Sequence, residues 1–177
     1  MSARSWLFVP GDAERKLEKA LAGEADALIL DLEDSVAAAR LPAARGLVAA
    51  ALRAHPGPRM WVRINALTRP EALADLAAVM PAAPAGIMLP KAEGAADLRR
   101  LDHFLSALEA AFGLVVGATR ILVIATETPA ALFALGDYAQ VSPRLAALTW
   151  GAEDLAAALG ASSNRAVNGG YAGPYRL

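Results

Sequence analysis

With 177 residues, 56% of them hydrophobic, the chain has enough apolar side chain for one buried core and too much for a disordered segment. A net charge of −1 gives no overall field to gather nucleic acid, and the absence of cysteine excludes disulfides, thiolate nucleophiles and zinc–thiolate sites. The longest apolar run, residues 110–118, is too short to cross a membrane, and the N-terminus turns at Pro10-Gly11 before a signal-peptide core develops, so a cytoplasmic protein is expected.

Taken in order, SWLFVP (5–10) predicts a strand closed by the Pro10-Gly11 turn. Asp12 is placed to cap a helix whose apolar stripe is Leu17, Ala20 and Leu21. ALILDLED (27–34) is a second strand running into acids at Asp31, Glu33 and Asp34. A helix follows, with Pro42 marking its first turn. MWVRIN (60–65) and GIMLPK (86–91) are strands three and four, separated by the helix EALADLAAVM. An amphipathic helix, AADLRRLDHFLSALEAAFG, leads to strand five, ILVIATET (121–128). A helix-length segment from Pro129 then leads to strand six, ALTWG (147–151). After a short helical piece, residues 162–177 are rich in Gly, Asn and Ser and read as a loop-like tail of a single domain spanning 1–177.

Six apolar runs alternating with helices indicate a parallel sheet covered by helices, an α/β fold. Polar residues fall at the C-terminal end of every predicted strand: Asp12; Asp31, Glu33 and Asp34; Arg63 and Asn65; Lys91 and Glu93; Glu127; Asp154. Consecutive parallel strands bring those ends to one side, where both (β/α) barrels and open doubly wound sheets bind ligands. Glu127 and Asp154 can thus converge on one hard divalent cation such as magnesium. The same spacing also fits two unrelated acids at loop ends. Arg63, a cation inside an apolar strand, is costly unless paired. It suits either a substrate carboxylate or an ion pair with Asp31, Glu33 or Glu127. Lys91, after Pro90, suits contact with a phosphate or a carboxylate, with an exposed loop lysine as the default. Arg15 and Lys16, near the first turn, suit an anionic cofactor or a solvated helix face. His55 and His103 fall on helices away from the strand ends, so no histidine base is expected. The sequence contains no GxGxxG, GxxxxGK[ST] or GxSxG.

RSWLFVPGDAERKLEKAL, ADALILDLEDSV, WVRIN, GIMLPKAEG, ATETPAAL and TWGAEDLAAALGA, in that order from Arg4 to about Tyr175, resemble the citrate lyase beta subunit-like branch of the HpcH/HpaI aldolase family. The resemblance implies a (β/α)8 TIM-type barrel, of which about six strand–helix units are recognisable here, and assembly as a trimer or hexamer. It implies a magnesium-dependent carbon–carbon lyase, with manganese as a substitute metal, acting on a citryl-, malyl- or citramalyl-coenzyme A thioester. By the same resemblance Glu127 and Asp154 are the metal ligands, Glu127 also faces the substrate, Arg63 orients its carboxylate, and Glu33 and Asp34 orient metal-bound water. The coenzyme A end falls near Arg15 and Lys16. Such barrels need about 250 residues, and the family draws its acid/base from a segment after the eighth strand. The expectation is therefore a metal-binding half-site with little or no turnover by this chain alone. Two further readings stay open: a non-catalytic binding or assembly subunit, and a divalent-metal aldolase acting on free 2-oxo acids.

Overall fold

A computed structural model describes residues 3–176. Six strands alternate with helices: β1 (Trp6–Pro10), α1 (Glu14–Leu21), β2 (Ala27–Asp31), α2 (Leu41–Ala54), β3 (Met60–Arg63), α3 (Glu71–Val79), β4 (Gly86–Leu89), α4 (Ala95–Ala111), β5 (Arg120–Ile124), α5 (Pro129–Phe133), β6 (Leu145–Thr149) and α6 (Ala152–Ala158). The strands form one sheet in sequence order, every neighbouring pair parallel. This is the α/β fold expected of a partial (β/α) barrel, because each crossover helix returns the chain to start the next strand beside the last.

Strand periodicity separates two apolar layers. Val9, Leu28, Leu30, Val62, Leu89 and Val123 join the helix-covered core, which includes Leu41, Ala44, Val48 and Leu52 from α2. Those α2 positions recur every three or four residues and so share one helix face. Burying Leu52 alone contributes about 2 kcal/mol. The intervening residues Ala27, Ile29, Trp61, Met88, Leu122 and Ile124 line the other, inner face, with Trp6 against Trp61 edge-on at 4.9 Å. Gly86 is required there, since a Cβ would overlap the Trp61 ring.

Three local expectations are corrected. Asp12 does not cap α1: Ala13 holds the cap position without a side-chain bond, and the Asp12 carboxylate accepts from Arg40 Nε at 3.3 Å. The segment between β5 and β6 is not one helix but short α5, a 3-10 turn at Leu135–Tyr138 and an irregular link in which Gln140 adopts φ +58°. Gly136 and Pro143 both disfavour a continuous helix there. β6 consequently starts at Leu145 rather than 147. The strands also stop earlier than the apolar runs suggest, leaving Glu33, Asp34, Asn65, Lys91 and Glu127 on loops just beyond them.

Among the described residues β1 and β6 each have one strand neighbour. Leu7, Phe8 and Leu148 on them are 44%, 46% and 42% exposed. At the opposite end of the sheet from the strand C-termini, Arg144 is buried and bonds Asp102 at 2.6 Å and Glu109 at 2.7 and 2.9 Å, tying the link before β6 to α4.

Candidate metal and substrate site

Parallel register puts the C-terminal residues of β2 and β3 side by side, with Asp31 opposite Arg63. The guanidinium donates to both Asp31 oxygens, each at 2.7 Å, in a bidentate fork. Its third nitrogen lies 3.2 Å from Glu33 Oε2 and 3.7 Å from Asp34, and its carbon stands 4.8 Å over the Phe8 ring. Asp31 also accepts from the main-chain N–H groups of Glu33 and Ser35. Burial pushes the Asp31 carboxyl upward, but the Arg63 bonds outweigh it and hold the group below its ordinary value. Arg63 likewise stays charged, because its acids more than offset its own burial. Losing one partner from so buried a pair costs about 3–5 kcal/mol. Of the three ion-pair partners the sequence allowed, Asp31 and Glu33 are taken and Glu127 is not.

The loops after β2, β4 and β5 and the first turn of α6 meet beside this pair. Glu127 is 2% exposed, and one of its oxygens accepts from the Lys91 main-chain N–H at 2.5 Å. Gly151 makes room for it, since a Cβ there would overlap Glu127 Cγ; the Gly151 N–H is itself fixed to Thr126 Oγ1 at 2.8 Å. Burial lifts the Glu127 carboxyl to about 7, opposed by the Lys91 N–H and reinforced by the charges of Asp154 and Glu33. For Lys91 the default of an exposed loop lysine is overturned, and the alternative of a carboxylate contact holds: it is part of the cluster. Its ammonium lies 2.6 Å from Glu33, 3.2 Å from Asp34 and 3.6 Å from Asp154. These acids outweigh its partial burial and raise its pKa. Glu33 moves upward too, because burial exceeds the help from Lys91 and Arg63.

Arg63, Glu127 and Asp154 form part of the wall of one cavity of about 530 Å³, together with Trp6, Phe8, Trp150 and Tyr171. The three residues singled out from sequence are therefore brought to one rim. Tyr171, which the sequence gave no reason to choose, reaches the cavity because the tail folds back on α6: Asn164, Arg165 and Tyr171 all bond Glu153. A larger hollow of about 680 Å³ opens at the other end, between Pro58, Trp61, Pro84 and Leu114, and no carboxylate lines it. Arg15 and Lys16 are exposed on α1 and do not line the site cavity. Lys16 borders a neighbouring cleft with Lys19 that shares Phe8 with the site.

Among the described residues no three His, Cys, Asp or Glu side chains form a ready cation cage. The donor set still fits magnesium, which is commonly held through one or two carboxylates while the remaining positions stay with water and substrate oxygens. Glu127 has one oxygen without the Lys91 bond, and Asp154 is 36% exposed towards the cavity.

Residues 4–169 match the family described as HpcH/HpaI aldolase/citrate lyase. A citrate lyase subunit beta-like protein from Mycobacterium tuberculosis is 39% identical over 168 residues, 94% of this chain and 54% of that protein. The L-malyl-CoA/beta-methylmalyl-CoA lyase of Cereibacter sphaeroides is 35% identical over 89% of this chain and 50% of its own length. Among solved structures, CitE from M. tuberculosis in complex with magnesium, acetoacetate and coenzyme A superposes with a TM-score of 0.77 at 38% identity, covering 99% of this chain and 58% of that one. The chain spans about half the length of the curated relatives it matches. With one family matching nearly the whole chain and relatives at 35–39% identity over most of it, this chain belongs to the HpcH/HpaI aldolase/citrate lyase family.

Proposed function

We propose that this chain carries the divalent-cation and oxo-acid part of a carbon–carbon lyase site that acts on a 3-hydroxyacyl-coenzyme A thioester of the citryl, malyl or citramalyl type. The observation that carries the reading is the meeting of Glu127, Asp154 and Arg63 in one cavity wall at the strand C-terminal rim. Relatives solved with magnesium and oxaloacetate, and with magnesium, acetoacetate and coenzyme A, support it.

Glu127 and Asp154 hold the magnesium, or manganese in its place, which when bound acts as a Lewis acid towards the oxygens of the oxo acid. Arg63 keeps its orientation through its fork on Asp31, and its third nitrogen, which also pairs with Glu33, would turn its positive charge towards the substrate carboxylate. Glu33 and Asp34 order the solvent around the cation. Phe8 and Trp6 exclude water from the reacting end. Lys16, which borders the cleft that shares Phe8 with the site, and Arg15 beside it on α1 would meet the anionic coenzyme A end. Cytoplasmic location and a trimeric or hexameric assembly belong to the same proposal.

The test is manganese binding followed by electron paramagnetic resonance. One ion per chain is expected, with E127Q and D154N each weakening it more than tenfold. Affinity unchanged in both variants overturns the reading. A second reading is a binding or assembly subunit without turnover. It predicts cation and oxo-acid binding but no cleavage of citryl- or malyl-coenzyme A.

A further inference from the structure

Lys91 contacts all four acids at the rim, and two of them, Glu33 and Asp34, are also paired with Arg63. Its main-chain N–H is bonded to Glu127 at 2.5 Å, while its ammonium bridges Glu33, Asp34 and Asp154 at 2.6, 3.2 and 3.6 Å. Lys91 reaches this position through φ +51°, a left-handed conformation that is unfavourable for a non-glycine residue. The bond to Glu127 and the three ion pairs hold it there. A hard cation takes six or more oxygens, so four converging carboxylates would leave little room for a substrate, whereas two leave several positions open.

We infer that Lys91 is a positioning residue for the cation site: its main chain aims Glu127, and its ammonium keeps Glu33 and Asp34 from ligating the cation. The inference rests on the cation reading proposed above. Removing the ammonium has two opposed effects. The site becomes more negative by one charge, so a bare cation binds more tightly, by about tenfold for a charge some 6 Å away in a wet cleft. At the same time Glu33 and Asp34 swing onto the cation and occupy the positions an oxo acid needs. A purely structural lysine has no such split, because its loss weakens both ligands together.

The experiment measures Mn2+ affinity alone, then the gain in glyoxylate binding caused by Mn2+, in the wild-type chain and in K91M, K91Q, K91R and E127Q. Met, Gln and Arg meet the same left-handed backbone as Lys, so they add no new strain, and K91Q serves if K91M does not fold. Expected are Mn2+ binding about tenfold tighter in K91M and K91Q with the glyoxylate gain lost, and both properties kept in K91R. Weaker or unchanged Mn2+ binding in the neutral variants, or an intact glyoxylate gain, overturns the inference while wild-type binding and its loss in E127Q leave the cation reading standing. Wild-type Mn2+ affinity equal to that of E127Q overturns the cation reading and this inference with it.

Discussion

Glu127 joins two facts with opposite consequences. It is buried, which favours the neutral acid, and the proposed function makes it a ligand for a cation, which needs the carboxylate. Its pKa of about 7, against an ordinary 4.5, sets the pH at which the two compete. Below pH 7 a proton must leave for each cation bound, so cation affinity falls about tenfold per pH unit; above 7 it levels off. For the cation-free protein the sign is reversed. Between pH 4.5 and 7 the folded chain keeps a proton that the unfolded chain has released, so this group subtracts stability as pH rises through that window. Thermal melts with and without Mg2+ should therefore show a larger stabilisation at pH 8 than at pH 5.5, and equal shifts at both would refute the assignment. At this scale the sequence was informative about which residues meet: Arg63, Glu127 and Asp154 stood at strand ends in an otherwise apolar context, and the structure brings them to one cavity wall. It left Lys91 open between a carboxylate contact and an exposed loop, because periodicity says nothing about a side chain that reaches an acid 58 positions away. Arg63 was legible as a paired cation, but only coordinates separate Asp31 from Glu127 as its partner.

The elements divide into those set by pattern and those set by contact. The strands and the longer helices follow from apolar runs and helical stripes, and α2 begins where Pro42 directs it. The link from α5 to β6 does not, because its shape is fixed by a buried charge network. Arg144 in that link bonds Glu109 on α4, and Glu109 also accepts the N–H groups of Gly117 and Thr119. Burial works against the Glu109 carboxylate, yet these bonds outweigh it and depress its pKa to about 2 from 4.5. A depressed acid contributes its stability above the unfolded value and loses it as pH falls from 4.5 towards 2. E109Q should thus cost about 3 kcal/mol at neutral pH, and the difference from wild type should close as pH falls through that window. Urea midpoints at pH 7 and pH 3 measure this. A constant difference would place the loss in packing rather than in the ion pair.

For the whole molecule, the alternation of six strands and helices made a helix-covered parallel sheet readable, the ordered motifs carried the family resemblance and with it the barrel type, and the sheet order agrees. What the alternation could not convey is how the two edges present themselves. β1 and β6 carry partly exposed Leu7, Phe8 and Leu148 beside unpaired main-chain groups. Such edges recruit other strands. The 177-residue chain should self-associate with rising concentration in sedimentation velocity, and L148K should lower that tendency without lowering the melting temperature. Association unaffected by L148K would show that β6 is not the contact.

The Trp6–Trp61 contact on the inner face has a use of its own. The third indole of the chain, Trp150, borders the site cavity together with Trp6, so two of the three tryptophans face that hollow. Their emission colour becomes an intrinsic gauge of dryness. Anything that closes over the hollow, whether polypeptide or small molecule, will announce itself as a shift to the blue without a label being attached.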